Sequence, residues 1–153
     1  MQISIIAIGR MQRGPEKALV EEYFKRLPWK SDIIEIEIKK AAATSEERKK
    51  REAEKLLAAV PAGAALVVLD ENGKALSSRA FAKKIDDWQM AGFNSLAFII
   101  GGADGLDRQV LARADLKLAF GTLTWPHMMV RAMLSEQIYR AWSINAGHPY
   151  HRD

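Results

Sequence analysis

The 153-residue sequence has no cysteine, only three histidines and five prolines, and no apolar run long enough to cross a membrane. Without cysteine it cannot form a disulfide, a zinc–thiolate centre or a thiol nucleophile. The histidines do not have the spacing of a metal site, so we expect no metal. Residues 1–9 are apolar but short and lack a basic leader. These absences predict a soluble, cytoplasmic protein.

The charges that are present are slightly unbalanced. Lysine and arginine outnumber aspartate and glutamate by 23 to 19, for a formal charge of +4. Such an excess favours an anionic partner, most commonly nucleic acid, although many small basic proteins bind none. The densest charged run, "EERKKREAEK" at 46–55, is typical of a solvated helix face with i,i+4 ion pairs. The alternative is salt-sensitive contact with phosphates.

Strand-like and helix-like segments alternate along the chain. Apolar runs at 2–8, 64–70 and 95–100 predict buried strands, and 32–39 and 116–120 predict two more. Helical spacing or helix caps follow each strand, with "ENGK" at 71–74 expected to be a turn. Thr44 with Glu47 suggests a capping box, and Ser77 or Ser78 a second cap. The pattern predicts an α/β fold with a mainly parallel sheet and flanking helices, and the length predicts one domain over 1–153.

The last helix, predicted over 127–145, is apolar nearly all the way round. A helix on the outside of a sheet normally keeps one polar face. A helix without one is covered on a second side, and in a chain this small a partner subunit is the expected cover. The sequence therefore predicts a homodimer.

Two segments at predicted strand ends are candidates for ligand binding, because ligands bind at the carboxyl ends of parallel strands. In "IIGGADGLD", 99–107, paired glycines permit close approach of a ligand or simply form a tight turn, and the residues alone leave both open. In "FGTLTWPH", 120–127, Trp125 offers an apolar wall for a base or packs in a dimer core. We expect His127, at a helix start, to be neutral, hydrogen-bonded and structural.

Three motifs in order, "VVLDENG", "FIIGGADGL" and "LTWPHMMVRAMLSEQIYRAWSINAGHPYHRD", resemble the ribosomal large-subunit methyltransferase H family of the SPOUT superfamily. The most specific part is T-x-P-H, then L-x-E-Q-x-Y-R-A-x-x-I, then H-P-Y-H. The resemblance implies a C-terminal trefoil knot and a homodimer. It also implies methylation of N3 of pseudouridine 1915 in 23S rRNA, on assembled ribosomes. A non-catalytic basic α/β module that binds RNA or ribosomes is the alternative.

The resemblance also implies a set of site residues. S-adenosylmethionine is expected to contact Leu69, Gly101, Phe120, Gly121, Thr122, Leu123, Thr124 and Trp125. For the substrate, the tail supplies His148 and His151 as candidate bases, since histidine titrates near neutral pH. Arg140 and Arg152 are candidates to hold the carbonyls that flank N3, and Tyr150 to stack on the base or bond to it. We expect the tail to reach the partner's pocket; the alternative is a tail that only pins the last helix.

Overall fold

A computed structural model describes residues 1–39 and 44–153. The strands are β1 (Gln2–Ile8), β2 (Lys30–Ile36), β3 (Ala65–Ala75), β4 (Ser95–Ile100) and β5 (Leu116–Ala119). The helices are α1 (Pro15–Arg26), α2 (Ser45–Ala58), α3 (Ser78–Met90), α4 (Arg108–Arg113) and α5 (His127–Ala146). The strands form one sheet in the order β2-β1-β4-β3-β5, with every pairing parallel. The predicted α/β fold with a parallel sheet is confirmed.

Alternating side chains of the central strands fill two apolar layers, one on each face of the sheet. On one face, Ile5 and Phe98 pack with Phe81 of α3 and Leu134 of α5. On the other face, strand residues such as Ile6, Ile99 and Val68 pack with Ala53 and Leu56 of α2 and Val110 of α4. Helices therefore cover both faces, which leaves the carboxyl edge of the sheet as the place where loops gather.

Both predicted helix caps are present, but of the capping box only the bond to the Thr44 side chain is seen within the described residues. The Thr44 side chain accepts a hydrogen bond from the Glu47 amide at 3.2 Å, which satisfies one of the free amides at the start of α2. At α3 the cap is Ser77, whose hydroxyl accepts from the Ala80 amide. Ser78 lies inside the helix and donates to Gln137 of α5 at 2.7 Å. The sequence left Ser77 and Ser78 as alternatives for the second cap, and the structure assigns the cap to Ser77.

The prediction of a turn at 71–74 is wrong, because β3 continues through this segment to Ala75. Leu69 and Lys74 both pair with Leu118 of β5, and the register shifts between them. Gly73 lies directly against the β5 backbone: a Cβ added there would be 2.7 Å from the carbonyl carbon of Lys117. Asparagine and glycine at 72–73 are typical of a turn, but here the glycine permits two backbones to approach closely.

The apolar surface of α5 is largely covered by its own chain. The helix packs against α1, α3 and β4, and Leu134, Ile138 and Ala141 are buried there. Its burial therefore does not require a partner subunit, which removes the main sequence argument for a dimer. Met129 is an exception, since 39% of its surface is exposed.

Candidate functional site

The register of the sheet brings the predicted cofactor segments together. Leu69 of β3 pairs with Ile100 of β4 on one side and with Leu118 of β5 on the other. Gly101 directly follows Ile100, and Phe120 follows the last residue of β5. The three chain segments therefore leave the sheet side by side at its carboxyl edge, although they are far apart in sequence.

The glycines of the β4–α4 turn are required by the turn itself. A Cβ on Gly101 would lie 2.8 Å from Cγ and Cδ2 of Leu106, and Gly105 has φ +81°. A Cβ on Gly102 would lie 3.1 Å from Cγ2 of Ile8, at the end of β1. Valine at Gly101 would thus displace Leu106 before it met any ligand. Substitution of this glycine alters the turn as well as any pocket beside it.

The loop that follows β5 is closed by its own tryptophan. The indole Nε1 of Trp125 donates to the carbonyl oxygen of Phe120 at 3.0 Å, so the two ends of the loop are tied together. The residues between them are exposed, and Leu123 exposes 70% of its surface. Two threonine hydroxyls and an apolar side chain therefore stand on a loop of fixed shape, an arrangement typical of a ligand-binding loop.

A cavity of about 780 Å³ opens between α1, α3, α5 and the end of β5. Its lining is mainly apolar, with Tyr23 and Glu136 at one side and Phe120 and Gly121 at another. Neither Leu69 nor Gly101 is among its lining residues. The cavity therefore touches only two of the predicted cofactor positions, and it joins them to the region of the C-terminal tail.

The tail turns back along its own helix. Gly147 ends α5 in the left-handed conformation, with φ +69°, and the His148 amide donates to the Ser143 carbonyl at 2.8 Å. The chain then runs along α5 until Asp153 accepts from Arg79, near the start of α3. The αL glycine reverses the direction of the chain within one residue, so the tail returns along its own chain.

Tyr150 is the centre of a polar cluster on this tail. Its hydroxyl donates to Oε1 of Glu136 at 2.9 Å and lies 3.2 Å from the Tyr23 hydroxyl. Arg140 donates to the same Glu136 oxygen at 2.5 Å and stands over the Tyr150 ring, 4.9 Å from its centroid. Burial and the hydrogen bonds to Tyr23 and Glu136 raise the pKa of Tyr150, so its hydroxyl stays protonated and able to donate.

The contacts of His151 identify its tautomer. Nδ1 lies 3.1 Å from the Arg140 guanidinium, which can only donate, so Nδ1 accepts. Nε2 lies 3.1 Å from Oδ1 of Asp153 and therefore carries the proton. Both ring nitrogens of His151 are thus engaged in hydrogen bonds within the chain. Asp153 is itself held ionised, since Arg79 and then His151 lower its pKa to about 2.

His148 is the more available imidazole. It is exposed and packs beside Trp142, with ring centroids 5.5 Å apart. Its Nδ1 accepts only a long hydrogen bond, 3.3 Å, from the Tyr150 amide. The structure thus brings together four of the predicted substrate residues, Arg140, His148, Tyr150 and His151. Arg152 is exposed, and its side chain makes no hydrogen bond or ion pair with the described ranges 1–39 and 44–153.

Sequence reasoning missed Glu136 and Tyr23, which complete this cluster. Glu136 precedes Arg140 by four residues on α5, and this spacing favours an ion pair. The spacing is visible in the sequence and could have identified Glu136 as a partner of Arg140. Tyr23 lies on α1, 127 residues from Tyr150, and no local pattern marks it.

The structure agrees only in part with the prediction for His127, a neutral, hydrogen-bonded residue at a helix start. Burial, and then the neighbouring Arg131, lower the pKa of His127, which agrees with the predicted neutral imidazole. Its ring makes no hydrogen bond to the part of the chain that the structure describes, so the predicted hydrogen bond is not seen.

Within residues 1–39 and 44–153 no cluster of three metal-ligating side chains occurs, and no helix there is long and apolar enough to span a membrane.

In α/β enzymes, ligands bind at the carboxyl edge of a parallel sheet. This chain has a glycine turn and a closed loop side by side at that edge. Residues 1–151 match the family described as "Predicted SPOUT methyltransferase". The chain belongs to the SPOUT methyltransferase family, and membership implies the C-terminal trefoil knot.

Three similar proteins carry the name "Ribosomal RNA large subunit methyltransferase H". The protein of Rhodospirillum centenum is 55% identical over 152 residues, that of Paramagnetospirillum magneticum 49% over 152, and that of Ruegeria pomeroyi 46% over 160. In each case the alignment covers 99% of this chain and 99% of the relative. The similarity therefore includes both the carboxyl-edge segments and the tail.

Proposed function

We propose that this chain is one SPOUT domain that transfers a methyl group from S-adenosylmethionine to N3 of pseudouridine 1915 in 23S rRNA, on assembled ribosomes. The observation that carries the proposal is the similarity, over nearly the whole chain, to proteins named as methyltransferases of large-subunit rRNA. The positive charge of the chain suits a polyanionic substrate.

The closed loop and the strand ends fit the proposed cofactor. Leu123 and the half-exposed Trp125 offer apolar surface for an adenine, and the exposed Thr122 and Thr124 offer hydroxyls for polar groups. Leu69 and Gly101 border this loop through the strand register. When bound, S-adenosylmethionine supplies a methyl group on a sulfonium centre, and the residues of the chain orient it and exclude water.

The tail cluster fits the recognition of a uracil-like base. N3 of such a base carries a proton between two carbonyl groups, and it must lose that proton to become nucleophilic. Arg140 has guanidinium hydrogens beyond those that contact Glu136 and His151, and Arg152 is an exposed cation, so both suit the flanking carbonyls and the developing anion. Tyr150 donates its one hydroxyl proton to Glu136, and so positions the carboxylate that Arg140 also binds. Of the two imidazoles, we assign proton acceptance to His148, because His151 is bonded at both nitrogens.

Calorimetric titration with S-adenosylmethionine tests the cofactor assignment. Leu123→Asp places a carboxylate on the exposed loop and should weaken binding at least tenfold without loss of stability. Met90→Asp is the matched control, because Met90 is also exposed, at 80%, but ends α3 away from the loop. If the wild type binds no S-adenosylmethionine, a non-catalytic role replaces the proposed reaction. Equal affinity in the two variants would refute the loop assignment.

We also propose that the chain acts as a homodimer. The support is the mainly apolar cavity, beside which Leu19 of α1 and Met129 of α5 are exposed. Since Tyr23 and Glu136 line this cavity and bond to Tyr150, a second copy seated there would place each tail at the interface. Light scattering after size-exclusion chromatography should give twice the mass of one chain. A monomer at micromolar concentration would contradict the proposal.

Mixing two inactive variants tests whether the site is shared between subunits. One variant is Leu123→Asp with an intact tail, and the other lacks residues 148–153. Activity is measured at an S-adenosylmethionine concentration well below the raised Kd of the first variant, so that each variant alone is inactive. If loop and tail come from different subunits, random pairing restores roughly a quarter of wild-type activity. If both come from the same chain, the mixture stays inactive although heterodimers form.

A further inference from the structure

The chain reverses its direction across the sheet between β1 and β4. These strands are neighbours, but β1 leads through α1 to β2 at one edge, and β4 leads through α4 to β5 at the other. The helices α1 and α4 pack on opposite faces. In parallel α/β sheets, the two loops at such a point enclose a crevice in which ligands bind. Here they are residues 9–14 and 101–107.

The second loop packs against the end of β1, where the first loop begins. A Cβ on Gly102 would lie 3.1 Å from Cγ2 of Ile8, the residue before the first loop begins. The glycine turn expected to border the cofactor is therefore adjacent to the β1–α1 loop. A group bound at one loop lies close to a group bound at the other.

The β1–α1 loop, "GRMQRG" at 9–14, carries two positive charges and no acidic residue. Arg10 and Arg13 are both exposed, and neither side chain makes an ion pair or hydrogen bond with the described ranges. Lys17, on the first turn of α1, is exposed as well. The acidic residue nearest to the loop in sequence is Glu16, on the first turn of α1. The other loop contributes Asp104, but its carboxylate is paired with Arg48 at 3.6 Å. The loop is thus a cationic surface at the edge of the crevice.

A buried arginine fixes the shape of this loop. Arg131 of α5 is fully buried and donates to the carbonyl oxygens of Ile8 and Gly9, both at 2.8 Å. It also pairs with Glu35 at 3.0 Å, and Glu35 accepts a hydrogen bond from the Met11 amide. Three backbone groups around Arg10 are therefore tied to one ion pair. A loop held in this way loses little conformational entropy when it binds a partner.

We propose that Arg10 and Arg13 bind backbone phosphates of the substrate RNA beside the site of methyl transfer. The inference rests on the proposed function and assigns part of its RNA contact to this loop. Arginine forms bidentate hydrogen bonds with phosphate oxygens.

The test is the double variant Arg10→Gln/Arg13→Gln, with Lys25→Gln/Lys30→Gln as the matched control. The control removes two charges from exposed positions at the opposite edge of the sheet, where α1 ends and β2 begins. Binding to purified ribosomes is measured by filter retention over a salt series, and binding of S-adenosylmethionine by calorimetry. Two lost phosphate contacts should weaken ribosome binding at least tenfold at low salt and lower the salt slope by about 1.5. Cofactor affinity should not change.

The control variant should stay within about twofold of the wild type in ribosome affinity, since a distant surface charge acts only through screened electrostatics. Ribosome binding by the loop variant that equals that of the control would overturn the inference. So would a larger loss in the control variant than in the loop variant. Absence of methyl transfer by the wild type is a separate result, which refutes the proposed function and leaves the binding comparison to decide on the arginines.

Discussion

Gly73→Ala tests the close approach of the β3 and β5 backbones. A Cβ at this position would lie 2.7 Å from the carbonyl carbon of Lys117 and 2.8 Å from the Leu118 amide nitrogen. Both atoms belong to the backbone of β5, which cannot rotate aside as a side chain would. The added methyl group therefore forces β3 and β5 apart where the register shifts.

The size of the effect follows from the contact distance. Carbon atoms attract one another at about 3.5–4.0 Å, so the backbones must separate by roughly 0.8 Å or more. Overpacking of a core usually costs about 1–3 kcal/mol, and a clash with backbone belongs at the upper end of that range. We expect Gly73→Ala to lower the free energy of unfolding by about 3 kcal/mol.

Gly14→Ala is the matched control. Gly14 has an extended φ of 166°, which any residue adopts, and its Cβ would meet only the Glu16 carboxylate at 3.5 Å. Alanine there should be neutral or stabilise by about 0.4–1 kcal/mol through the unfolded chain. Equilibrium unfolding in urea, followed by tryptophan fluorescence, compares the two variants. A difference below about 0.5 kcal/mol would show that β3 does not lie against β5 as described.

Three further predictions concern buried or bonded groups. Burial is the main cause that raises the pKa of Glu52 above its ordinary 4.5, so its carboxylate costs stability as the pH rises through that range; Glu52→Gln should raise the melting temperature at pH 8 but not at pH 4, and an equal rise at both would contradict this. Arg131→Met leaves two carbonyls without this donor and the partly exposed Glu35 without its cation, and should cost about 3 kcal/mol in urea unfolding; a loss below about 1 kcal/mol would contradict the structural role of the buried arginine. Tyr150→Phe removes a donor to Glu136, and should lower the free energy of unfolding by about 1 kcal/mol and kcat at least tenfold; unchanged kcat would mean that the tail only holds α5 in place.

The layout of the fold was predictable because its signals are local. Apolar runs such as 95–100 identify the central strands, and Thr44 with Glu47 identifies the start of α2. The prediction failed at 71–74, where asparagine and glycine signal a turn but the glycine serves a close approach to β5. Residue type gives the allowed backbone conformation at a position, and does not give the neighbour that comes close to it.

The candidate site was predictable only in part, for a related reason. Arg140, Tyr150 and His151 lie close in sequence, so their grouping near the tail followed from the motif. Tyr23 bonds to Tyr150 across 127 residues and the buried Arg131 to Ile8 across 123, and sequence alone does not show such pairs. The apolar character of α5 suggested a partner, but α1 and α3 of the same chain account for much of it.

Labelled methyl transfer tests the central claim most directly. Ribosomes that lack the modification are incubated with the protein and methyl-labelled S-adenosylmethionine, and free large subunits are treated in parallel. The rRNA is then digested and its nucleosides are separated by mass. We predict label in 3-methylpseudouridine from the large-subunit rRNA, with more transfer to whole ribosomes than to free subunits. Label in another nucleoside, or none while the protein binds the cofactor, would contradict the account.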